Sequence, residues 1–135
     1  MYTLAWTPEL SIGIPAMDNA HQVLLSKLSE IARAPDTGFS KLFFALADYL
    51  ERDFKEEEKL MEEMSFYDMH PHREQHARVL YALHKVIPDV LQGKFDSART
   101  TLELFPKWFV FHLSTMDLQF AMWFKLRNTD LTLEI

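Results

Sequence analysis

Residues 40–64 read SKLFFALADYLERDFKEEEKLMEEM, and this stretch decides the fold. Phe43, Leu46, Leu50, Phe54 and Met61 recur at steps of three, four and seven, so they line one face of a helix. No glycine or proline interrupts the run, which is long enough to cross a small domain from end to end. Glu56-Glu57-Glu58-Lys59 reads first as a solvated face. Glu57, however, shares the apolar face with Phe54 and Met61, which turns it inward while Glu56 and Glu58 stay in water. An inward carboxylate has to be paired, protonated or bound to a metal.

Working outward, Ala34-Pro35-Asp36-Thr37-Gly38 separates this helix from an earlier one over Asp18–Arg33. There Val23, Leu24, Leu28 and Ile31 recur at helical spacing, and Asp18 or Asn19 can cap the start. Met1 to Pro15, carrying Pro8, Gly13 and Pro15, reads as an extended arm. On the other side, Ser65 to His70 is a connector and Pro71 suits the first turn of a third helix that ends near Val86. After the loop around Gly93, a fourth helix spans roughly Ser97 to Arg127, with Pro106 expected to kink or restart it. Asn128 to Ile135 reads as a short tail, with Leu131-Thr132-Leu133 exposed. The expected fold is all-α: an antiparallel up-down four-helix bundle with an extended N-terminal arm, one domain over residues 1–135.

Composition narrows the function. The 135 residues are 48% hydrophobic, enough for a real core, and carry a formal net charge of −6. That acidity argues against a nucleic-acid surface. With no cysteine, disulfide scaffolds, thiolate zinc sites and cysteine nucleophiles are excluded. No apolar run approaches a membrane span and no export signal is visible, so the expected location is cytoplasmic.

The chemistry lies in six histidines and a few carboxylates. His72 and His76 are four apart, one turn apart on one helical face, and such a pair can hold a metal, though most are solvated or capping residues. His21 lies beside Leu24 and Leu25, where a satisfied core histidine is the ordinary reading. His112 falls between Trp108 and Met116 at an inward position. Asp117 follows five residues later, roughly 140° round an ideal helix, so the two share a site only if the helix carries a π-type bulge. Without one, Asp117 is a surface carboxylate. Singly each has a bland explanation; together they place a potential ligand on each of four helices.

At this point the chain resembles the hemerythrin family, in particular its single-domain bacterial members, the bacteriohemerythrins. The resemblance runs over nearly the whole chain, through Trp6, Gly13-Ile14, Asp18 with His21, and Phe54, Glu57, Glu58, Leu60 and Met61. It continues through Phe66-Tyr67, His72 with His76, and Trp108, His112 and Asp117. It implies two iron ions bridged by two carboxylates and an oxo or hydroxo group. His72, His76 and His112 would hold one iron, Glu57 and Asp117 would bridge, and His21 would hold the second, whose open position binds dioxygen end-on in the family.

The family's further histidine for that second iron, four residues before the bridging glutamate, is here Asp53. Asp53 is on the right face but shorter than imidazole. It could bind directly, act through a water, or simply pair with Arg52 or Lys55. If it binds, the added negative charge stabilises the ferric state and favours oxidation over reversible binding. His70 and His84 have no counterpart in the implied set; they read as a loop and a flanking residue. Phe43, Phe54, Trp108, Phe109 and Phe120 read as core.

The function that follows is a non-haem diiron oxygen-binding protein for storage, delivery or sensing, its ligand dioxygen or another small diatomic. The alternative is a diiron redox enzyme that reduces oxygen, peroxide or nitric oxide. A metal-free interaction or phosphotransfer bundle is disfavoured, because phosphotransfer needs an exposed histidine and most here face inward. The sequence names no protein partner.

Overall fold

A computed structural model describes residues 4–133, with side chains described as far as Arg127. Three uninterrupted helices come first: α1 (Pro15–Arg33), α2 (Phe39–Glu63) and α3 (Met69–Lys85). A short α4 (Ile87–Leu91) leads into the fourth arm, which is built in pieces. These are α5 (Asp96–Glu103), α6 (Phe105–His112), a π-helical turn (Leu113–Asp117) and α7 (Leu118–Leu133). Among the described residues there are no strands. The short connections make neighbours antiparallel, with α1 packed on α2 and α2 on α3, so the chain is the expected all-α bundle.

The face read from α2 is the face it buries: Phe43, Leu46, Leu50, Phe54 and Met61 are all in the core. Against them pack Leu24 and Ile31 of α1, Leu83 of α3, and Phe109 and Phe120 of the fourth arm. Each such side chain contributes about 1.5–3 kcal/mol by leaving water, so the core can absorb the cost of burying a polar centre.

Several boundaries differ from expectation for identifiable reasons. Helix α1 starts at Pro15, whose fixed φ suits the first helical position, and Ile14 makes no side-chain cap. Asp18 is therefore not a cap. Its carboxylate reaches back to accept from Ser11 Oγ and, at 2.9 Å, from the Ile12 amide, which ties down the arm. The arm itself holds a 3-10 turn at Pro8–Leu10 and buries Ile12 and Ile14; Met1 to Thr3 lie outside the described residues. Gly13 at φ 81° turns the chain in the left-handed region, so another residue there would be strained, and the end of the Lys125 side chain would have to move aside for its Cβ. Val23 is 44% exposed, and Leu25 takes its place in the stripe of α1. Pro106 does restart the fourth arm, standing in the first turn of α6 after a break at Leu104. The stretch read as a tail is helical to Leu133; the side chains of Leu131-Thr132-Leu133, and Glu134 and Ile135 entirely, lie outside what is described.

Candidate metal centre

The four arms converge on one buried polar cluster: His21, Glu57, His72, His76, His112 and Asp117, each no more than 7% exposed. Helix α3 places His72 and His76 one turn apart, with ring centroids 4.7 Å apart. Glu57 faces them from α2, its Oε1 lying 2.7 Å from His72 Nε2 and 3.3 Å from His76 Nε2. Asp117 spans the cluster. Its Oδ1 is 3.1 Å from the Nε2 atoms of both His72 and His112, and its Oδ2 is 3.3 Å from His21 Nε2.

Asp117 can do this because the fourth arm carries the π-type turn that its five-residue offset requires. The Leu118 amide donates to the Leu113 carbonyl, five residues back. Just upstream, where the ladder changes step, Ser114 Oγ donates to the Val110 carbonyl at 2.8 Å and Thr115 Oγ1 to the Phe111 carbonyl at 2.6 Å.

The donor atoms form two overlapping groups able to hold a cation. One contains Glu57, His72, His76 and His112, the other His21, Glu57 and Asp117, with the ligand atoms of each within 4.8 Å of one another. His76 Nε2, His112 Nε2 and Asp117 Oδ1 are fully buried, yet none makes an aligned hydrogen bond. Buried polar atoms are rarely left this way. Donors that crowd together without satisfying each other are what convergence on a cation requires, so the residues fit a metal.

Two side chains that the sequence reading left in solvent or passed over hold the rings from outside. Glu58 Oε2 lies 2.9 Å from His76 Nδ1, while its Oε1 accepts from Arg73 Nε at 3.1 Å. Glu58 is thus half-buried and engaged, unlike the exposed Glu56. Gln75 Oε1 lies 2.8 Å from His112 Nδ1. Such partners fix a ring so that its other nitrogen points at the metal. Gln75 falls one residue before His76, and spacing alone gave no signal for it. Phe54 stacks on His76 at 3.9 Å between centroids and Trp108 on His112 at 4.6 Å.

The charges are mutually dependent. Burial and Asp117 both push Glu57 up, but the hydrogen bond from His72 and the proximity of the His76 ring outweigh them and keep it below its usual range. Burial likewise opposes ionisation of Asp117, and His112, His21 and His72 overcome it, holding Asp117 well below the ordinary value. Burial disfavours the His72 cation, yet Asp117 and Glu57 lift it to about 9. His21 is raised in the same way, with Asp117 outweighing burial. Without a cation from outside, it is His72 and His21 that the carboxylates hold toward the charged form.

Asp53 stands apart from both donor groups. It is half-buried and lines a cavity of about 10 Å³ with His21, Leu24, Phe54, Trp108 and Phe109. Burial and the neighbouring Glu57 push its carboxyl up to about 7. Of the two remaining histidines, His70 is exposed in the first turn of α3 rather than in a loop. His84 pairs with Glu51 at 2.8 Å on the surface, away from the cluster. Among the described residues no helix is long and apolar enough to cross a membrane.

Comparison with known proteins agrees with this geometry. The family model of the hemerythrin HHE cation binding domain matches residues 12–124, from the end of the arm to α7. A protein of Ralstonia nicotianae named bacteriohemerythrin is 28% identical over 130 residues, which cover 96% of this chain and 95% of the relative. The fold, the converging donors and the extent of the match lead to one assignment: the chain belongs to the hemerythrin family.

Proposed function

We propose that the chain, acting as one domain over residues 1–135, is a non-haem diiron protein that binds dioxygen or another small diatomic. One observation carries the reading: Asp117 presents one oxygen to His72 and His112 and the other to His21, as a carboxylate bridging two ions would. In this reading His72, His76 and His112 would hold one iron, Glu57 and Asp117 would be shared between the two, and His21 would hold the second, with Asp53 lining the cavity beside it. Bound iron supplies the reversible redox couple that binding dioxygen needs. The protein's residues do the rest. Glu57 and Asp117, kept ionised by the surrounding histidines, offset the charge of the ions. Glu58 and Gln75 hold two rings in orientation. Leu24, Phe54, Trp108 and Phe109 line, with Asp53, a cavity of about 10 Å³ beside the cluster, the size of a single small molecule such as water.

The test is anaerobic loading with ferrous iron, followed by admission of oxygen. About two irons per chain and a new ligand-to-metal absorption band that reverses on removing oxygen are expected. One iron or none, or no oxygen-dependent band, would overturn the reading. The carboxylate of Asp53 is the specific observation behind a second reading, a diiron enzyme that reduces oxygen, peroxide or nitric oxide. Steady oxygen consumption with a reductant, in place of a stable adduct, would select it.

A further inference from the structure

The two sides of the buried centre are built from different atoms. On one side three imidazole nitrogens, from His72, His76 and His112, face the carboxylates of Glu57 and Asp117. Two of these three rings are held by hydrogen bonds at Nδ1, His76 by Glu58 at 2.9 Å and His112 by Gln75 at 2.8 Å, while His72 Nδ1 is buried without a partner. On the other side the single imidazole is His21. Its Nδ1 is buried with no hydrogen-bond partner, and its ring rests edge-on against Phe109 at 5.2 Å. The remaining donors of that group are carboxylate oxygens, from Glu57 and Asp117, and the carboxylate of Asp53 lines the same small cavity from outside the group.

Donor type and rigidity have separable consequences. Imidazole suits Fe²⁺ and Zn²⁺, whereas carboxylate and water suit Mn²⁺ and Mg²⁺. A site whose rings are fixed in advance loses less freedom on binding than one whose ring has no outer partner. From this contrast we propose that the position at His21 and Asp53 is an oxygen-dominated cation site that accepts Mn²⁺ about as readily as Fe²⁺. The three-histidine position fills first and discriminates against Mn²⁺. Given a single equivalent of Zn²⁺ and then Mn²⁺, the chain assembles a mixed pair. This rests on the reading above that both positions take a cation; it adds which cation each prefers and the residue responsible.

The experiment uses the full chain stripped of metal, given one equivalent of Zn²⁺ and then titrated with Mn²⁺. Bound Mn²⁺ is read from the loss of the six-line electron paramagnetic resonance signal of the free ion. About one Mn²⁺ per Zn²⁺-loaded chain is expected. Asp53→His, which exchanges an oxygen donor for nitrogen, should weaken Mn²⁺ about tenfold or more and leave the first Zn²⁺ unchanged. Asp53→Glu should restore Mn²⁺ binding, and Asp53→Asn provides an independent variant should the histidine disturb packing. Equal Mn²⁺ affinity in wild type, Asp53→His and Asp53→Asn would overturn the inference. So would a Zn²⁺-loaded chain that takes a second Fe²⁺ but no Mn²⁺, an outcome that leaves the diiron reading standing. A chain that takes no second cation of any kind would overturn both.

Discussion

Helix α3 and the fourth arm each bring two donor side chains to the same buried spot, but they step there differently. The buried positions of α3 are His72, His76, Val79 and Leu83, at steps of four, three and four. Those of the fourth arm include Phe105, Phe109, His112, Asp117 and Phe120, at steps of four, three, five and three. Only the step from His112 to Asp117 departs from helical spacing, and it falls on the π turn. One extra residue is absorbed there, and the arm continues with its apolar face still toward the core. A straight helix can set two rings side by side for one ion. The wider step sets a carboxylate between His112 of its own arm and His21 of another.

Exchanging the two spacings is the strongest way to break this comparison. An alanine inserted between Glu74 and Gln75 would turn His76, Val79 and Leu83 by about 100° relative to His72, with no bulge to absorb it. Both the centre and the core face of α3 are then misdirected. Metal affinity should fall by more than about a hundredfold, since even outer-shell losses reach that size, and the Tm should fall with it. Metal content by mass and thermal unfolding by circular dichroism check this; near-normal loading would show that His76 is not a ligand.

The reverse exchange should be far milder. Deleting Thr115 leaves His112 and Asp117 four apart, and the buried positions then follow a regular helical rhythm throughout. The chain is expected to fold and keep its first metal. The second should weaken by about tenfold or more, because Asp117 would sit beside His112 instead of reaching toward His21. A deletion variant that does not fold would mean that the turn carries the packing as well as the chemistry.

These steps also explain how much could be read from the sequence. The core face of α2 and the pair on α3 follow regular spacing, so Leu50, Phe54, His72 and His76 were legible directly. The five-residue gap before Asp117 was legible only as a condition, that a bulge be present, and the structure meets it. What spacing does not encode is contact between helices. Glu58 was placed in water because its own helix turns it outward; it is α3, bringing His76 and Arg73 alongside, that engages it. Gln75 was missed for the same reason, its partner His112 being 37 residues away in the chain.

Those two outer contacts give the next, smaller effect. Glu58→Gln keeps the shape but removes the charge opposite His76 Nδ1, and should lower affinity at the three-histidine position by about tenfold. Gln75→Leu removes the partner of His112 and should cost a similar amount. Competition with a chelator of known affinity measures both. If neither variant moves affinity, the rings are held by Phe54 and Trp108 stacking alone.

The smallest effect concerns Asp53 in the metal-free chain, and its sign differs from that of the other carboxylates. Burial and Glu57 raise Asp53 from 3.8 to about 7, so the folded state favours the protonated form. Its contribution to stability is fully present below the unfolded value, declines as pH rises between the two values, and is lost above about 7. The step from 3.8 to about 7 corresponds to a ceiling of about 4 kcal/mol, reduced because the half-buried carboxyl still meets water. Asp53→Asn cannot ionise, so it should melt higher than wild type at pH 8, with the gap closing toward pH 4. Glu57, lowered by His72 and His76, runs the other way, losing its contribution as pH falls through its folded value. Thermal scans of the metal-free wild type and Asp53→Asn across that range separate the two. A gap independent of pH would mean that Asp53 is ionised throughout and paired on the surface, as a carboxylate with no part in the centre would be.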